Sequence, residues 1–478
     1  MNYLSHFLTE DIKDELYEKR FVIGSLVALF IFFLMAPFFL PPFKQASPET
    51  ALQVIILGAV LSSVYMVLAL GFSLIYGVAK QLKLSLGGYY VVGAYCMYFL
   101  LETMKISPSA KRLDEGLDGI LLIALVLLPI VLMAILLVVF WRVFDIREFL
   151  FVGASGIIAG GTVILFGLPS ASAIVEGLYA ALAVFVLALA AWYLELPRRE
   201  VAFGTFILAC AYPAMLLFDL PAIFISLAIL AILFTAFLAV LSDRFLLDKF
   251  RASHINTLIV TFSLALLFQS AVQVMQFPED GEQLTEFGPE DRTLRTAISK
   301  SSINIFGALV DNIRIIALLL SILACIFLYI FIWFSKTGMA LRAAAQDEEA
   351  AALAGIDIRK TTAIVSGMGM GLIGLAAVFA SPFAAKPLWS PYMGWWVLIM
   401  AIAVVTLGGL GSLPGSVIGA FIIGYTEVLI SSAPGTFVLL GAEVAYSQFS
   451  VVIPLFVVLL VMIFRPEGLF GEKKELEG

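Results

Sequence analysis

Long apolar runs, each about the length of a membrane-crossing helix, alternate along this chain with short polar linkers. A helix needs about 20 predominantly apolar residues to cross the hydrocarbon core. The candidate runs are 21–40, 52–77, 85–101, 119–141, 150–167, 174–194, 201–218, 222–241, 257–276, 313–334, 362–380, 395–409, 415–430 and 447–464. They predict an all-α fold, a polytopic membrane protein of about fourteen transmembrane helices with both termini cytosolic. One polar segment, residues 338–356, stands between two of the runs and is rich in Ala and charge. Ala favours helix and Gly stops it, so 340–354 is expected to be a water-facing helix ended by Gly355. A helical loop of this kind in a bilayer protein points to contact with a soluble partner.

Charge placement orients the runs. Each crossing changes side, and with this count Lys80, Lys83, Arg244, Lys249, Lys336, Arg342, Arg359, Lys360 and Arg465 share one face with both termini. About two thirds of all Lys and Arg fall there, the bias expected of a cytosolic side. The opposite face receives an acidic loop with Glu279, Asp280, Glu282, Glu286, Glu290 and Asp291. That loop, 277–311, is a solvated connection or a meeting point for an extracytoplasmic protein. Residues 1–20 read as a retained cytosolic tail, 21–101 as the first membrane helices, 102–221 as an inserted four-helix block, 222–471 as the remaining core and 472–478 as a cytosolic tail.

Composition agrees with the pattern: 62% of residues are hydrophobic and only 13% are charged. A soluble domain carries about twice that charge. No basic stripe supports nucleic-acid binding. Cys96, Cys210 and Cys325 each lie within an apolar run and read as small buried hydrophobes. His6 and His254 lack neighbours at metal-ligand spacing, and no cofactor is expected. The chain has no G-x-x-x-x-G-K-[ST] loop for nucleotide phosphates and no catalytic cluster. Any ATP-driven work therefore requires a separate motor chain, for which the 340–354 helix is the contact.

Two stretches depart from plain spanning helices. Residues 84–95 include Gly87, Gly88 and Gly93, and residues 407–420 include Gly408, Gly409, Gly411, Pro414, Gly415 and Gly419. Small residues let helix backbones approach closely. The two stretches thus serve tight packing, or they form related half-repeats that line a pathway. Glu427 lies in the thirteenth run and Glu176 opens the sixth. A carboxylate in the membrane costs about 2.5–3.5 kcal/mol on insertion scales and marks a functional position by default. Both stand near helix ends, from which a side chain can reach the interface.

Four stretches carry a family resemblance: Gly71-Phe-Ser-Leu-Ile-Tyr-Gly77; residues 342–356 with Arg342, Gln346 and Glu349; Pro391-Tyr-Met-Gly394 with the Gly-rich 407–415; and Arg465-Pro-Glu-Gly-Leu-Phe-Gly471. Together they resemble the permease subunits of branched-chain amino acid ABC transporters, closer to the LivH type than to the LivM type. The resemblance covers residues 50–101 and 222–471. It implies a second permease subunit, two ATP-binding subunits and an extracytoplasmic solute-binding protein as partners. It also implies that 340–354 is the coupling helix. Gly338, Arg342, Ala345, Gln346, Glu349, Ala350, Leu353 and Gly355 are then its contact residues, with Leu353 as an apolar anchor. The glycines above, Pro414 and Glu427 are candidates for the translocation path or its packing.

Two departures stand out. Where the family has an Asn-Phe-Ala-His/Gln-Gly-Glu-like run, this chain has Lys83-Leu-Ser-Leu-Gly-Gly88, and the 102–221 block is extra. The first keeps urea, short amides and other small solutes open as alternative substrates. The block, which must cross an even number of times, is expected outside the core. A stand-alone secondary transporter and a membrane enzyme remain as readings from other classes.

Overall fold

The computed structural model describes residues 48–106, 133, 152–161, 172–193, 222–250, 253–275, 302–305, 308–380, 391–439 and 442–471. All but three of the predicted runs fall on described helices: 21–40 and 201–218 lie outside the described residues, as does 119–141 apart from residue 133. The elements are α1 (Pro48–Ala79), α2 (Leu86–Ile106), α3 (Val152–Gly161), α4 (Ser172–Tyr193), α5 (Ala222–Phe245) and α6 (His254–Met275). Strands β1 (Ser302–Ile305) and β2 (Ala308–Asp311) follow, then α7 (Asn312–Phe334), α8 (Lys336–Gln346), α9 (Glu348–Leu353) and α10 (Ile358–Ala380). The chain continues through α11 (Met393–Gly408), α12 (Leu413–Ser431), β3 (Thr436–Leu439), β4 (Ala442–Ala445) and α13 (Val452–Phe464).

Six of these helices are long and apolar enough to cross a membrane: α1, α5, α6, α7, α10 and α12. The two antiparallel hairpins, β1–β2 and β3–β4, are an addition to the expected all-helical fold. Each connects helix ends. Gln53 near the start of α1 donates from its side-chain amide to the Leu309 carbonyl at 3.2 Å, which ties the first hairpin to that end of the bundle.

The core is built where α1, α2, α10, α11 and α12 meet. Leu68, Tyr89, Ile373, Val404 and Ile423 are among its buried side chains. Its helices approach through small residues. The Ser62 hydroxyl of α1 donates to the Phe421 carbonyl of α12 at 3.3 Å, and Tyr425 of α12 donates back to the Ile55 carbonyl at 2.9 Å. Between these bonds Gly424 lies against Ser62, and a Cβ there would stand 2.7 Å from Ser62 backbone atoms. Helices α5, α6, α7 and α13 instead expose large apolar side chains such as Phe237, Leu267, Phe334 and Phe464. In a chain with these spans, such faces meet lipid or another membrane subunit. Within the 102–221 block, α3 and α4 pack at Gly160 and Gly177, and α4 lies against α5.

Candidate functional site

The expected single helix over 340–354 is two helices, with the break at Asp347. Helix α8 starts earlier than expected because the Ser335 hydroxyl caps it, accepting from the Gly338 N–H at 2.8 Å. Asp347 takes extended backbone geometry and caps α9 by accepting from the Ala350 N–H at 3.0 Å. Asp competes for backbone N–H groups and favours a cap over a helix interior, which is why the Ala-rich run divides there. Gly355 ends α9 as foreseen. Its φ of +86° suits glycine, and Gly355 and Ile356 donate to the carbonyls of Ala352 and Ala351 in the pattern of a Schellman cap.

The expected contact residues divide into two groups. Gly338 is buried where α8 leaves α7, so close to the Phe331 and Ile332 carbonyls that a side chain would collide with them. Arg342 turns toward its own chain: its guanidinium lies 4.5 Å over the Trp333 ring of α7, and its buried Nε has no hydrogen-bond partner among the described residues. Ala345 is half-buried. Gln346, Glu349, Ala350, Leu353 and Gly355 face solvent together, and Leu353 is 91% exposed. Helix α8 thus anchors the elbow on α7, α1 and α10, and α9 presents an acidic rim around one apolar side chain.

At the end of α1 three of the sequence stretches converge. Gly408 and Gly415 meet backbone to backbone across the turn between α11 and α12. Gly409 and Gly411 have φ of +104° and +83°, and Ser412 caps α12 ahead of Pro414 by accepting from the Gly415 N–H at 3.2 Å. Gly419 packs on the Val404 carbonyl. The C-terminal segment docks on the end of α11, where Leu469 and Phe470 donate to the Leu407 and Gly408 carbonyls at 2.9 and 3.0 Å. Those carbonyls would otherwise be orphans of a helix end. Gly77 of α1 lies beside Gly411.

The remaining candidates sit inside the bundle. Gly87 faces Gly394 of α11, Gly88 faces Ala265 of α6, and Gly93 faces Gly374 of α10. Gly87 and Gly88 line a small cavity with Leu84, Gln269 and Trp395, where the indole N–H donates to the Gln269 side-chain oxygen at 2.6 Å. Glu427 is half-buried on α12 and accepts from the Tyr65 hydroxyl at 2.7 Å. It lies away from the α8–α9 elbow, toward the hairpin end of α12. Glu176 belongs to α4, whose side chains at that position are outside the described residues.

A buried ion pair was not foreseen. Lys83 donates from Nζ to Asp243 Oδ1 at 2.7 Å, and both side chains are shielded from solvent. The available signal was Asp243 itself: a carboxylate in the last turn of a helix opposes the helix dipole. Among the described residues no group of His, Cys, Asp and Glu could hold a metal ion. Cys96 and Cys325 are free thiols, and Cys210 lies outside the described residues.

A bundle of long apolar helices with a capped, water-facing elbow between two of them defines a multi-pass membrane protein. The chain belongs to the branched-chain amino acid transport system permease component family, whose model matches residues 200–464, more than half of its length. Similar proteins include the high-affinity branched-chain amino acid transport system permease protein LivH of Salmonella typhimurium. That relative is 30% identical over 207 residues, which are 42% of this chain and 62% of the relative. LivH of Escherichia coli K12 is 30% identical over 166 residues, 35% of this chain and 50% of the relative. BraD of Pseudomonas aeruginosa is 30% identical over 172 residues, 36% and 51% respectively. The chain thus spans between half and 62% of the length of these curated relatives. No solved structure matches it.

Proposed function

We propose that this chain is the transmembrane permease subunit of an ABC importer in the cell membrane. It carries branched-chain or related hydrophobic amino acids and is driven by separate ATP-binding subunits. The observation that supports this best is the α9 surface, where Leu353 stands 91% exposed among Gln346, Glu349 and Ala350 on an elbow braced against the bundle. A free leucine side chain on a rigid, capped helix has a cost in water that a partner's groove removes. Each of two permease subunits presents such an elbow to one ATP-binding subunit, and closure of those subunits pushes on α9. Because Gly355–Asp357 leads directly into α10, the push passes into a helix that is buried along most of its length. Solute reaches the opposite end from an extracytoplasmic binding protein, so the permease supplies a path and the binding protein supplies most of the selectivity.

The test is reconstitution of the assembled complex in proteoliposomes with uptake of labelled leucine, isoleucine and valine measured against urea. ATP-dependent uptake of the branched-chain amino acids is expected. Uptake by the chain without ATP-binding subunits refutes the reading, and uptake of urea with no amino acid transport replaces the substrate class.

A further inference from the structure

The linker between α1 and α2 and the first turn of α2 carry polar groups that the transport reading leaves unexplained. Lys83 is 4% exposed and Asp243, in the last turn of α5, is 1% exposed. Besides its 2.7 Å bond to Asp243, Lys83 donates to the Ser366 hydroxyl of α10 at 2.6 Å. That hydroxyl donates in turn to the same Asp243 oxygen at 3.0 Å. A buried ion pair adds little net stability, because desolvation offsets most of the attraction. Its best-attested use is to fix a register or to serve as a switch, and here it joins three separate elements.

The surroundings favour the switch. The same turn is tied to its neighbours by further polar bonds: Tyr89 shares a hydrogen bond with Ser242, and the Leu84 N–H donates to the Thr261 hydroxyl at 3.3 Å. On another side of the turn is the cavity lined by Gly87, Gly88 and Trp395. At the head of the linker Lys80 holds φ at 50°, a left-handed conformation that costs a side-chain-bearing residue energy and recurs at switch segments. Ser85 is 0% exposed, yet its hydroxyl has no hydrogen-bond partner among the described residues. A buried hydroxyl without a partner calls for an explanation, and a second position of the turn, in which it meets water, supplies one. Ser366 stands eight residues into α10, about 12 Å along the helix that begins just beyond the α9 surface.

We propose that Lys83, Asp243 and Ser366 form a latch that holds the turn leading into α2 closed against α5 and α10. Displacement of α10 from the α8–α9 end withdraws Ser366 and opens the latch, and the turn then swings about Lys80 and uncovers Ser85. The latch itself stands on geometry alone, while the drive from α9 rests on the transport reading.

The experiment places Ser85→Cys in a chain whose native cysteines are replaced by alanine. It measures labelling by a water-soluble maleimide in inside-out membrane vesicles. The parent is expected to label slowly, and Asp243→Asn and Lys83→Gln to label at least about tenfold faster. The exchange Lys83→Asp with Asp243→Lys is expected to return the rate toward the parent. If the single variants fail to accumulate, Ser366→Ala keeps the ion pair and is expected to raise the rate about threefold. Equal rates in the parent and in every variant that accumulates overturn the latch. In the assembled complex, vanadate-trapped nucleotide should raise the parent rate. A rate indifferent to nucleotide makes the pair a static staple and overturns the switch. Uptake by the same complex is read separately: a latch that responds as stated in a complex that carries no amino acid refutes the transport reading and leaves the latch standing.

Discussion

Replacing Leu353 with alanine isolates the docking contribution of the α9 surface from the stability of the permease. Leu353 is 91% exposed, so trimming it removes almost no contact within the chain. The change in the permease's own stability should stay within about 0.5 kcal/mol, the range of ordinary surface substitutions. If the side chain enters a groove of the ATP-binding subunit, three carbons leave a buried site at about 0.8 kcal/mol each. The loss is then about 2.4 kcal/mol, or roughly a 50-fold weaker association at about 1.4 kcal/mol per tenfold. Purified permease in detergent, titrated with the ATP-binding subunit and followed by fluorescence anisotropy, measures the affinity. A thermal melt of the permease alone supplies the control. Leu353→Met, nearly equal in volume, should keep most of the affinity. An alanine variant that binds within twofold of the parent refutes the reasoning, as does one whose melting temperature falls while binding per folded molecule is unchanged.

Arg342→Lys should lower the melting temperature about as much as Trp333→Leu, and a double-mutant cycle should find the two effects non-additive, because the planar guanidinium stacked 4.5 Å over the indole is what an ammonium cannot replace. The coupling to look for is about 0.5–2 kcal/mol, and full additivity would refute the stack. Gly424→Ala should destabilise by about 1–3 kcal/mol, since its Cβ would stand 2.7 Å from Ser62 backbone atoms and force α1 and α12 apart. Gly77→Ala, whose nearest non-local neighbour would be an ordinary 3.6 Å away, should be neutral or stabilising. Melting both variants in one detergent checks the contrast, and similar losses would count against backbone packing as the cause.

The six long apolar helices were legible because apolar length is a strong signal that a single sequence carries by itself. Helix ends were less so, although local chemistry set them. Helix α10 begins at Ile358, ahead of the predicted 362, because Asp357 caps it by accepting from the Lys360 N–H at 3.1 Å. The break at Asp347 follows the same rule, and Ala content masked it. The stacking of Arg342 on Trp333 was hidden as well, because that ring sits nine residues back on another helix, beyond what helical periodicity relates. The Lys83–Asp243 pair was out of reach for a different reason. Its members lie 160 residues apart, and a lysine at a membrane helix end is ordinarily solvated, so charge sorting placed Lys83 with the surface. Only the packing of α5 and α10 against the α1–α2 linker removes it from water.

The same packing bears on how force could travel. Between Gly408 and Gly415, between Gly87 and Gly394, and between Gly71 and Gly369, backbone meets backbone with no side chain between. Side chains yield by changing rotamer, whereas backbone contacts have no such slack, so a displacement of one helix is delivered to the next. The C-terminal segment extends this stiffness by pairing its N–H groups with the end of α11. The latch stands at the entry to α2, beside a cavity and a left-handed residue, and unlike those contacts it joins its elements through polar side chains. In a bundle with so many close backbone contacts, the proposed latch is where a push on α10 finds something able to let go.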